Sequence, residues 1–416
     1  MNLLQEYFLK VRAGIFAAIE ADMISRLTPQ ELREQISTAI DVIISREQLP
    51  VSFSEKELFV QDMVDELVGL GPMQSLMDDP QVSDIMINGP NQIYYEKFGK
   101  LEESELKFID EIQLQTIAKR IASSVGRRID ESSPLCDARL HDGSRVNMVL
   151  PPLALDGTSI SIRKFSDKSI SLNDLVDFGA MTSEMAKLLM VATYCRLNII
   201  ISGGTGSGKT TLLNALSEYI SDDERIITIE DAAELRLSKK HTLRLETRKD
   251  NIEGTGAIDQ NKLLINALRM RPDRIVIGEC RGAEALEMLQ AMNTGHDGSM
   301  TTLHANTPRD AISRIENMVM MANASLPLKA IKQNISSAVD IIVQVKRLND
   351  GSRRVTSISE VVGLEGDVIV MEEYYSLDQT MDLSGRDLNE IYIKSPVHNR
   401  SAVKKKADFF GLNIEL

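Results

Sequence analysis

The first part of the chain repeats apolar residues at helical spacing. The positions that fall on one helical face within residues 3–27 are Leu4, Phe8, Val11, Ile15 and Ile19. Such a face needs a partner to cover it. The pattern therefore predicts a small helical bundle over residues 1–54, for which no chemistry is indicated.

Capping signals predict where the next helices begin and end. Thr28-Pro29-Gln30-Glu31 has the capping-box pattern with proline at the first helical position, and it predicts a helix that runs to about Glu47. Ser54 and Glu57 predict the cap of a third helix, which stops before Gly69-Leu70-Gly71-Pro72.

Between residues 55 and 165 the pattern changes to short β-rich segments with one helix. Strands are predicted at 82–88, 92–96 and 158–165, a helix at 111–125, and a hairpin around His141-Asp142-Gly143. This mixture of strands and one helix indicates a compact α/β module. Residues 166–171 are polar and lack apolar periodicity, so they are predicted to be an interdomain linker.

From residue 172 to 375 short apolar strands alternate with helical stretches. Predicted strands lie at 197–202, 225–230, 242–246, 274–278, 299–303, 340–348, 353–362 and 367–374. This alternation is typical of a sheet covered by helices on both faces, with ligands at the carboxyl ends of the strands. Residues 376–416 are polar, and the run Lys404-Lys405-Lys406 is predicted to belong to a solvated tail.

One stretch between a predicted strand and a predicted helix fits the phosphate-loop pattern. Its residues are Gly203, Gly204, Thr205, Gly206, Ser207, Gly208, Lys209, Thr210 and Thr211. Glycines let several backbone N–H groups point at one phosphate, and the positive end of the following helix faces the same spot. Lys209 is expected to reach the β and γ phosphates of ATP, and the Thr210 hydroxyl to ligate Mg²⁺.

Carboxylates at the ends of two predicted strands complete this candidate site. Glu230 follows one strand, with Asp231 and Glu234 close behind it, and Glu279 follows the strand at 274–278. A carboxylate there can polarise the attacking water or hold Mg²⁺, so Glu230 and Glu279 join Thr210 as candidate metal ligands. Acids at strand ends also cap helices. Which of the two glutamates is the general base stays open.

The composition of the chain argues against several kinds of protein and binding site. The net charge of −14 argues against a protein that coats nucleic acid, so no dedicated nucleic-acid binding is expected. Three scattered cysteines suggest neither disulfides nor a cysteine zinc site, and the spacing of His296 and His304 does not fit a zinc-binding helix. Neither a signal peptide nor a membrane span is predicted, so we expect a cytoplasmic protein whose membrane association is peripheral.

Four segments resemble, in chain order, the Walker A, Asp, Walker B and His boxes of the type II/type IV secretion ATPase superfamily. They are residues 203–211, 229–235, 274–282 and 295–306. Further resemblances, at 69–72, 142–147, 161–165 and 344–366, extend the match across about residues 55–375. These segments resemble the CpaF branch of the superfamily, which serves tight-adherence (Flp) pili. The four-cysteine zinc motif of the pilus-extension and type II secretion branches has no counterpart among the three cysteines.

This resemblance implies a RecA-like P-loop ATPase domain preceded by a PAS-like α/β domain and an N-terminal helical bundle. In such a homohexamer the two domains clamp ATP, and hydrolysis drives pilin assembly through inner-membrane platform proteins. Arginines of the N-terminal domain reach the phosphates in this family, and Arg139, Arg145 and Arg163 match them. Arg281 in the Walker B box and His304 in the His box are further candidate catalytic residues.

Two alternatives remain open at this point. One is a conjugative or type IV secretion ATPase that moves protein or DNA, and the other is a nucleotide-dependent assembly scaffold with negligible turnover. The presence of Lys209, Thr210, Glu230 and Glu279 argues against the scaffold. The direction of the motor and the filament it serves are not indicated by the sequence.

Overall fold

The computed structural model describes residues 3–18, 27–165, 170–248, 255–378, 388–398 and 400–412. The chain divides into two compact units, residues 1–166 and 167–416. This division falls in the segment predicted as a linker, of which residues 166–169 lie outside the described residues. The other predicted domain boundaries stay predictions.

Three helices begin the first unit, and their apolar faces share one core. They are α1 (Leu3–Ala18), α2 (Pro29–Glu47) and α3 (Phe53–Leu67). Val11, Ile36 and Met63, one from each helix, are completely buried in that core. The predicted continuation of α1 toward residue 27 falls on residues 19–26, which lie outside the described residues.

The structure confirms one predicted helix cap and corrects the next. Thr28 and Glu31 form the reciprocal capping box at the start of α2. The cap of α3 is formed by Ser52 and Glu55, two residues earlier than predicted, because the Ser52 side chain accepts from the Glu55 N–H and the Glu55 carboxylate accepts from the Ser52 N–H. The residue predicted to close this cap, Glu57, instead pairs with Arg33 of α2 at 3.0 Å.

The rest of the first unit is an antiparallel sheet packed on one long helix. The strands are β1 (Val82–Asn88), β2 (Ile93–Lys97), β3 (Lys100–Glu103), β4 (Leu135–Arg139), β5 (Arg145–Val149) and β6 (Ser159–Arg163), in the order β3-β2-β1-β6-β5-β4. The helices are a 3₁₀ turn (Gly71–Met73), α4 (Gln74–Asp78) and α5 (Glu111–Ser124). Leu114 and Ile117 of α5 lie in one core with Ile85 and Val146 of the sheet.

The second unit is built on a mixed sheet of nine strands. They are β7 (Ile199–Gly203), β8 (Ile226–Glu230), β9 (Thr242–Glu246), β10 (Arg274–Ile277), β11 (Met300–Leu303), β12 (Ile341–Arg347), β13 (Arg353–Glu365), β14 (Val368–Leu377) and β15 (Tyr392–Lys394), in the order β15-β14-β13-β12-β7-β11-β10-β8-β9. The strands from β12 to β9 in this order run parallel, and β13, β14 and β15 are antiparallel.

Helices of the second unit enclose the parallel strands on both faces. They are α6 (Leu172–Asp177), α7 (Ser183–Tyr194), α8 (Lys209–Ser217), α9 (Gln260–Ala267), α10 (Glu284–Asn293), α11 (Pro308–Ala322), α12 (Leu328–Ala338), α13 (Leu388–Ile391) and α14 (Ala402–Phe409). Ile199 and Ile201 point into one core and Ile200 into the other, because side chains alternate along a strand. The predicted α/β architecture, with helices on both faces of a sheet, is confirmed. No helix within the described residues is both long and apolar enough to span a bilayer.

The prediction of a solvated tail is wrong for the described residues after 387. Strand β15 pairs with β14 at the edge of the sheet, and α14 buries Val403 and Ala407 in the core. These two residues are four positions apart and therefore share one face of the helix. The Ala402 N–H also donates to the Glu360 carboxylate at 2.7 Å, which fixes the start of α14 on the sheet.

Candidate nucleotide site

The phosphate loop connects β7 to α8, and its first and last glycines, Gly203 and Gly208, each have a structural reason. Gly203 lies opposite Val345 in the ladder between β7 and β12, where an added Cβ would collide with the Val345 carbonyl oxygen. Gly208 is the N-cap of α8 and has φ 96°, a left-handed conformation that favours glycine. The α8 N-terminus thus has no capping side chain in front of its first N–H groups, and this leaves them directed at the loop.

Lys209 is buried at the start of α8 and lies inside the loop. Its ammonium donates to the Gly204 carbonyl at 2.8 Å and is 3.5 Å from His304 Nε2. The Ser207 hydroxyl donates to the same carbonyl at 2.8 Å. Burial lowers the pKa of Lys209, and the negative charge of Glu279 opposes that effect. The predicted lysine therefore places a buried positive charge inside the loop.

Glu279 lies just after β10 and is held by two basic side chains. Its Oε1 is 3.1 Å from His304 Nε2, and its Oε2 accepts from Arg281 at 2.5 Å. Arg281 is also 3.7 Å from the Asp231 carboxylate. The structure thus brings four of the predicted site residues, Lys209, Glu279, Arg281 and His304, into one connected group.

The charges of this group keep Glu279 ionised and His304 neutral. Burial raises the pKa of Glu279, but the hydrogen bond and charge of Arg281, together with His304 and Lys209, outweigh it and leave the pKa lowered. Burial and the nearby ammonium of Lys209 lower the pKa of His304. At neutral pH Glu279 is therefore an anion, and a neutral His304 with its proton on Nε2 donates to it.

Glu230 occupies a different environment at the end of β8. It is 2% exposed, and its Oε1 accepts from the Glu234 and Leu235 N–H groups at 2.7 Å each. None of the described residues donates to its Oε2. An added Cβ on Gly278, next to Glu279, would lie 3.0 Å from Glu230 Cγ. Glu230 therefore holds the loop that follows β8 and packs against the backbone before Glu279.

Burial raises the pKa of Glu230 from 4.5 to about 7, although the backbone N–H groups of Leu235 and Glu234 oppose the rise. Because the folded pKa lies above the unfolded one, the bound proton stabilises the folded state fully below the unfolded pKa. That stabilisation is lost as the pH rises through the folded pKa.

We therefore expect the unfolding free energy of the nucleotide-free protein to fall between pH 5 and pH 8 by up to about 3 kcal/mol more than that of Glu230→Gln. The amide keeps the oxygen that accepts the two N–H bonds and cannot ionise. Urea unfolding at a series of pH values measures the difference. Parallel pH profiles for the two proteins would contradict a buried, titrating Glu230.

The three arginines predicted to reach phosphate lie in the first unit, in one row across three strands. Arg139 is directly opposite Arg145, and Arg145 is directly opposite Arg163. Like charges in such positions destabilise a sheet unless an anion offsets them. Asp84 is the next member of the row and is 3.2 Å from the Arg163 side chain. The strand register therefore collects three cations at one end of the sheet.

Sequence reasoning missed the side chains that position the His304 segment. Thr302 donates to the Gly278 carbonyl at 2.7 Å, which joins β11 to the strand end before Glu279. Ser202 and Gln344 both donate to the Ala305 carbonyl, at 3.4 and 3.1 Å. No local signal marks these residues, because each bond joins segments that are far apart in the chain and meet only in the assembled sheet.

The site residues fit a magnesium ion that is bound together with phosphates. Among the described residues, no three His, Cys, Asp or Glu side chains group into a metal centre of their own. The candidates Thr210, Glu230 and Glu279 supply hard oxygen donors, which Mg²⁺ prefers, and Glu230 Oε2 is a buried oxygen with no partner in the described part of the chain. Few protein ligands are expected, because Mg²⁺ usually combines one or two of them with waters and substrate phosphates.

Comparison with solved structures supports the fold. The chain is similar to the ATPase DotB from Yersinia pseudotuberculosis, in an alignment that covers 75% of this chain and 80% of that one at 18% identity and a TM-score of 0.51. Together with the sheet order and the loop after β7, this likeness defines an α/β protein with a RecA-like domain that carries a phosphate-loop motif.

The family follows from the sequence comparisons. Residues 66–380 match the model described as Type II/IV secretion system protein, and the chain belongs to this family. A conjugal transfer protein from Mycobacterium tuberculosis is 37% identical over 309 residues, which are 73% of this chain and 87% of that protein. The type IV secretion system protein VirB11 from Bartonella henselae is 34% identical over 331 residues, covering 70% and 92%.

Proposed function

We propose that this protein is a motor ATPase that hydrolyses ATP with Mg²⁺ to power a secretion or pilus-assembly machine. The observation that carries the proposal is the connected group of Lys209, Glu279, His304 and Arg281 beside the phosphate loop. A scaffold that only bound nucleotide would need the loop and Lys209. It would not need an ionised carboxylate held between a histidine and an arginine.

Each member of this group has a role that its contacts support. The loop N–H groups and Lys209 bind the β and γ phosphates, and the Lys209 ammonium exchanges the Gly204 carbonyl for phosphate oxygens. Bound Mg²⁺, held by Thr210 and a strand-end carboxylate, would neutralise developing charge on the phosphates. Glu279 orients the attacking water and accepts its proton, because the carboxylate is ionised at neutral pH.

His304 and Arg281 hold Glu279 in place. His304 contacts both Glu279 and Lys209, so it links the water-activating carboxylate to the lysine on the phosphate. Arg281 is 55% exposed and can leave Glu279 to meet an incoming γ-phosphate. Glu230 supports the loop after β8 through its two backbone hydrogen bonds, and Glu279 is the better candidate base.

The row formed by Arg139, Arg145 and Arg163 is proposed to add positive charge to the bound triphosphate. These arginines belong to the first unit, and the phosphate loop belongs to the second. A nucleotide that contacted both would couple hydrolysis to a change between the units. We propose that this happens in a homohexamer that docks peripherally on inner-membrane platform proteins from the cytoplasm.

The machine we favour is the tight-adherence (Flp) pilus, because the resemblance to the CpaF branch extends from residue 55 to 375. The second candidate is a conjugative or type IV secretion machine. Relatives described as conjugal transfer and VirB11 proteins, which share more than 30% identity over most of their length, favour it.

Two measurements test the proposal. Purified protein is expected to release phosphate from Mg-ATP through many turnovers, and binding without turnover would support the scaffold instead. A deletion strain complemented with the wild-type gene or with Glu279→Gln then distinguishes the machines. Loss of surface filaments with normal plasmid transfer supports the pilus, and loss of transfer with normal filaments supports conjugation.

A further inference from the structure

A cationic hairpin lies against the outside of the phosphate loop. Strands β12 and β13 place Arg347 directly opposite Arg353. The Arg353 Nε–H donates to the Gly206 carbonyl at 2.9 Å. A Cβ added to Gly208 would lie 3.6 Å from Arg353 Cδ. A Cβ added to Gly206 would lie 3.9 Å from Arg347 Nη1. Both arginine side chains therefore approach the glycines of the loop.

The two arginines place two positive charges next to the loop. Two like charges directly opposite each other destabilise a β-ladder, and both arginines are solvent-exposed. In a chain of net charge −14, positive charge collects here beside a loop shaped for an anion.

The hydrogen bond from Arg353 also fixes the orientation of one peptide group in the phosphate loop. The peptide between Gly206 and Ser207 is planar and trans, so its carbonyl and its N–H point in opposite directions. A charged donor on the Gly206 carbonyl therefore keeps the Ser207 N–H directed to the other side of that peptide. Because Arg353 belongs to the β12–β13 hairpin and not to the loop itself, we assign the other side of the peptide, to which the N–H is directed, to the phosphate.

We propose that Arg353, with Arg347 beside it, is a positioning residue that orders the phosphate loop for the β-phosphate of the nucleotide. This inference rests on the proposed function. The β-phosphate is common to ADP and ATP, so both nucleotides gain equally from an ordered loop. Interactions that stabilise substrate and transition state equally change KM and leave kcat alone.

The experiment compares Arg353→Gln with Lys346→Gln. Lys346 is the residue before Arg347 on β12, is exposed, and pairs with Arg354 on the opposite face of the ladder. Both variants lose one positive charge from an exposed position of one hairpin. Their thermal unfolding is therefore expected to match that of the wild type, so any difference in binding reports the contact with the loop.

We expect Arg353→Gln to raise the Kd for ADP and the KM for ATP about tenfold, the size of one charge-assisted hydrogen bond, with kcat within about twofold of wild type. Lys346→Gln is expected to change neither. Arg353→Lys, which keeps the charge and lacks the Nε–H donor, is expected to recover only part of the affinity. Calorimetric titration with ADP and steady-state phosphate release measure these quantities.

Three results overturn the inference. They are wild-type affinity in Arg353→Gln, an equal loss in Lys346→Gln, or a fall in kcat with unchanged KM. The proposed function fails separately if the wild type does not bind ADP, or if Lys209→Ala binds and hydrolyses ATP normally. An intact wild-type site with an unaffected Arg353→Gln would therefore reject only the role of Arg353.

Discussion

Replacing Glu279 by Gln is expected to slow ATP hydrolysis at least about 10²-fold while ATP still binds. The amide keeps the shape of the side chain and can still accept the hydrogen bond from Arg281, which is 2.5 Å long in the wild type. It cannot take a proton from water. The loop and Lys209, which are proposed to hold the phosphates, do not depend on that proton transfer, so the loss is expected in kcat.

Single-turnover phosphate release and equilibrium ATP binding, measured on the same preparation, check this expectation. Glu230→Gln is the matched control, since it makes the same chemical change at the other strand-end carboxylate. If Glu230→Gln stops turnover with ATP bound and Glu279→Gln does not, the two roles must be exchanged. An equal loss of affinity and turnover in Glu279→Gln would indicate a damaged site.

Lys209→Ala is expected to abolish hydrolysis and leave the fold intact. The ammonium lies inside the loop, where we propose that it meets the transferred phosphate. The substitution removes the aliphatic stem and the hydrogen bond to the Gly204 carbonyl, but it also relieves the cost of burying a charge, so unfolding is expected near the wild-type temperature.

Phosphate release and thermal unfolding of Lys209→Ala, alongside Lys329→Ala, provide the test. Lys329 is an exposed lysine on α12, so the same change there is expected to leave turnover unaltered. Near-wild-type hydrolysis in Lys209→Ala would refute the assignment of the phosphate loop. A large drop in unfolding temperature would mean that the lysine supports the fold as well.

Short-range patterns in the sequence predicted many of the strands and the phosphate loop. Short apolar runs predicted most strands of the second unit within one to three residues, because a strand buried on both faces needs apolar residues along its whole length. The phosphate loop was recognisable because a glycine-rich turn, a lysine and a hydroxyl must follow each other directly in the chain. Helix caps were less certain, and Ser52 with Glu55 replaced Ser54 with Glu57 because both pairs satisfy the same three-residue spacing.

The C-terminal region shows how a strong local signal can mislead. The run Lys404-Lys405-Lys406 indicated a solvated tail, yet Val403 and Ala407 bury one face of the same helix. The Lys406 ammonium donates to the Arg196 carbonyl at 2.7 Å, as part of that docking. A charged run and an apolar pair four residues apart coexist on a helix because they occupy different faces.

The sequence by itself determined which groups are available for chemistry: the phosphate loop, its lysine, and acids at the ends of two strands. Only the tertiary structure decided which of them meet. Strand order sets β11 between β7 and β10, and this brings His304 to both Lys209 and Glu279. Strand register aligned Arg139, Arg145 and Arg163, and the β12–β13 hairpin brought Arg353 to the loop. Apart from the Arg139–Arg145 pair of one hairpin, these contacts join residues far apart in the chain, and their geometry comes from the packing of whole sheets, which no local pattern encodes.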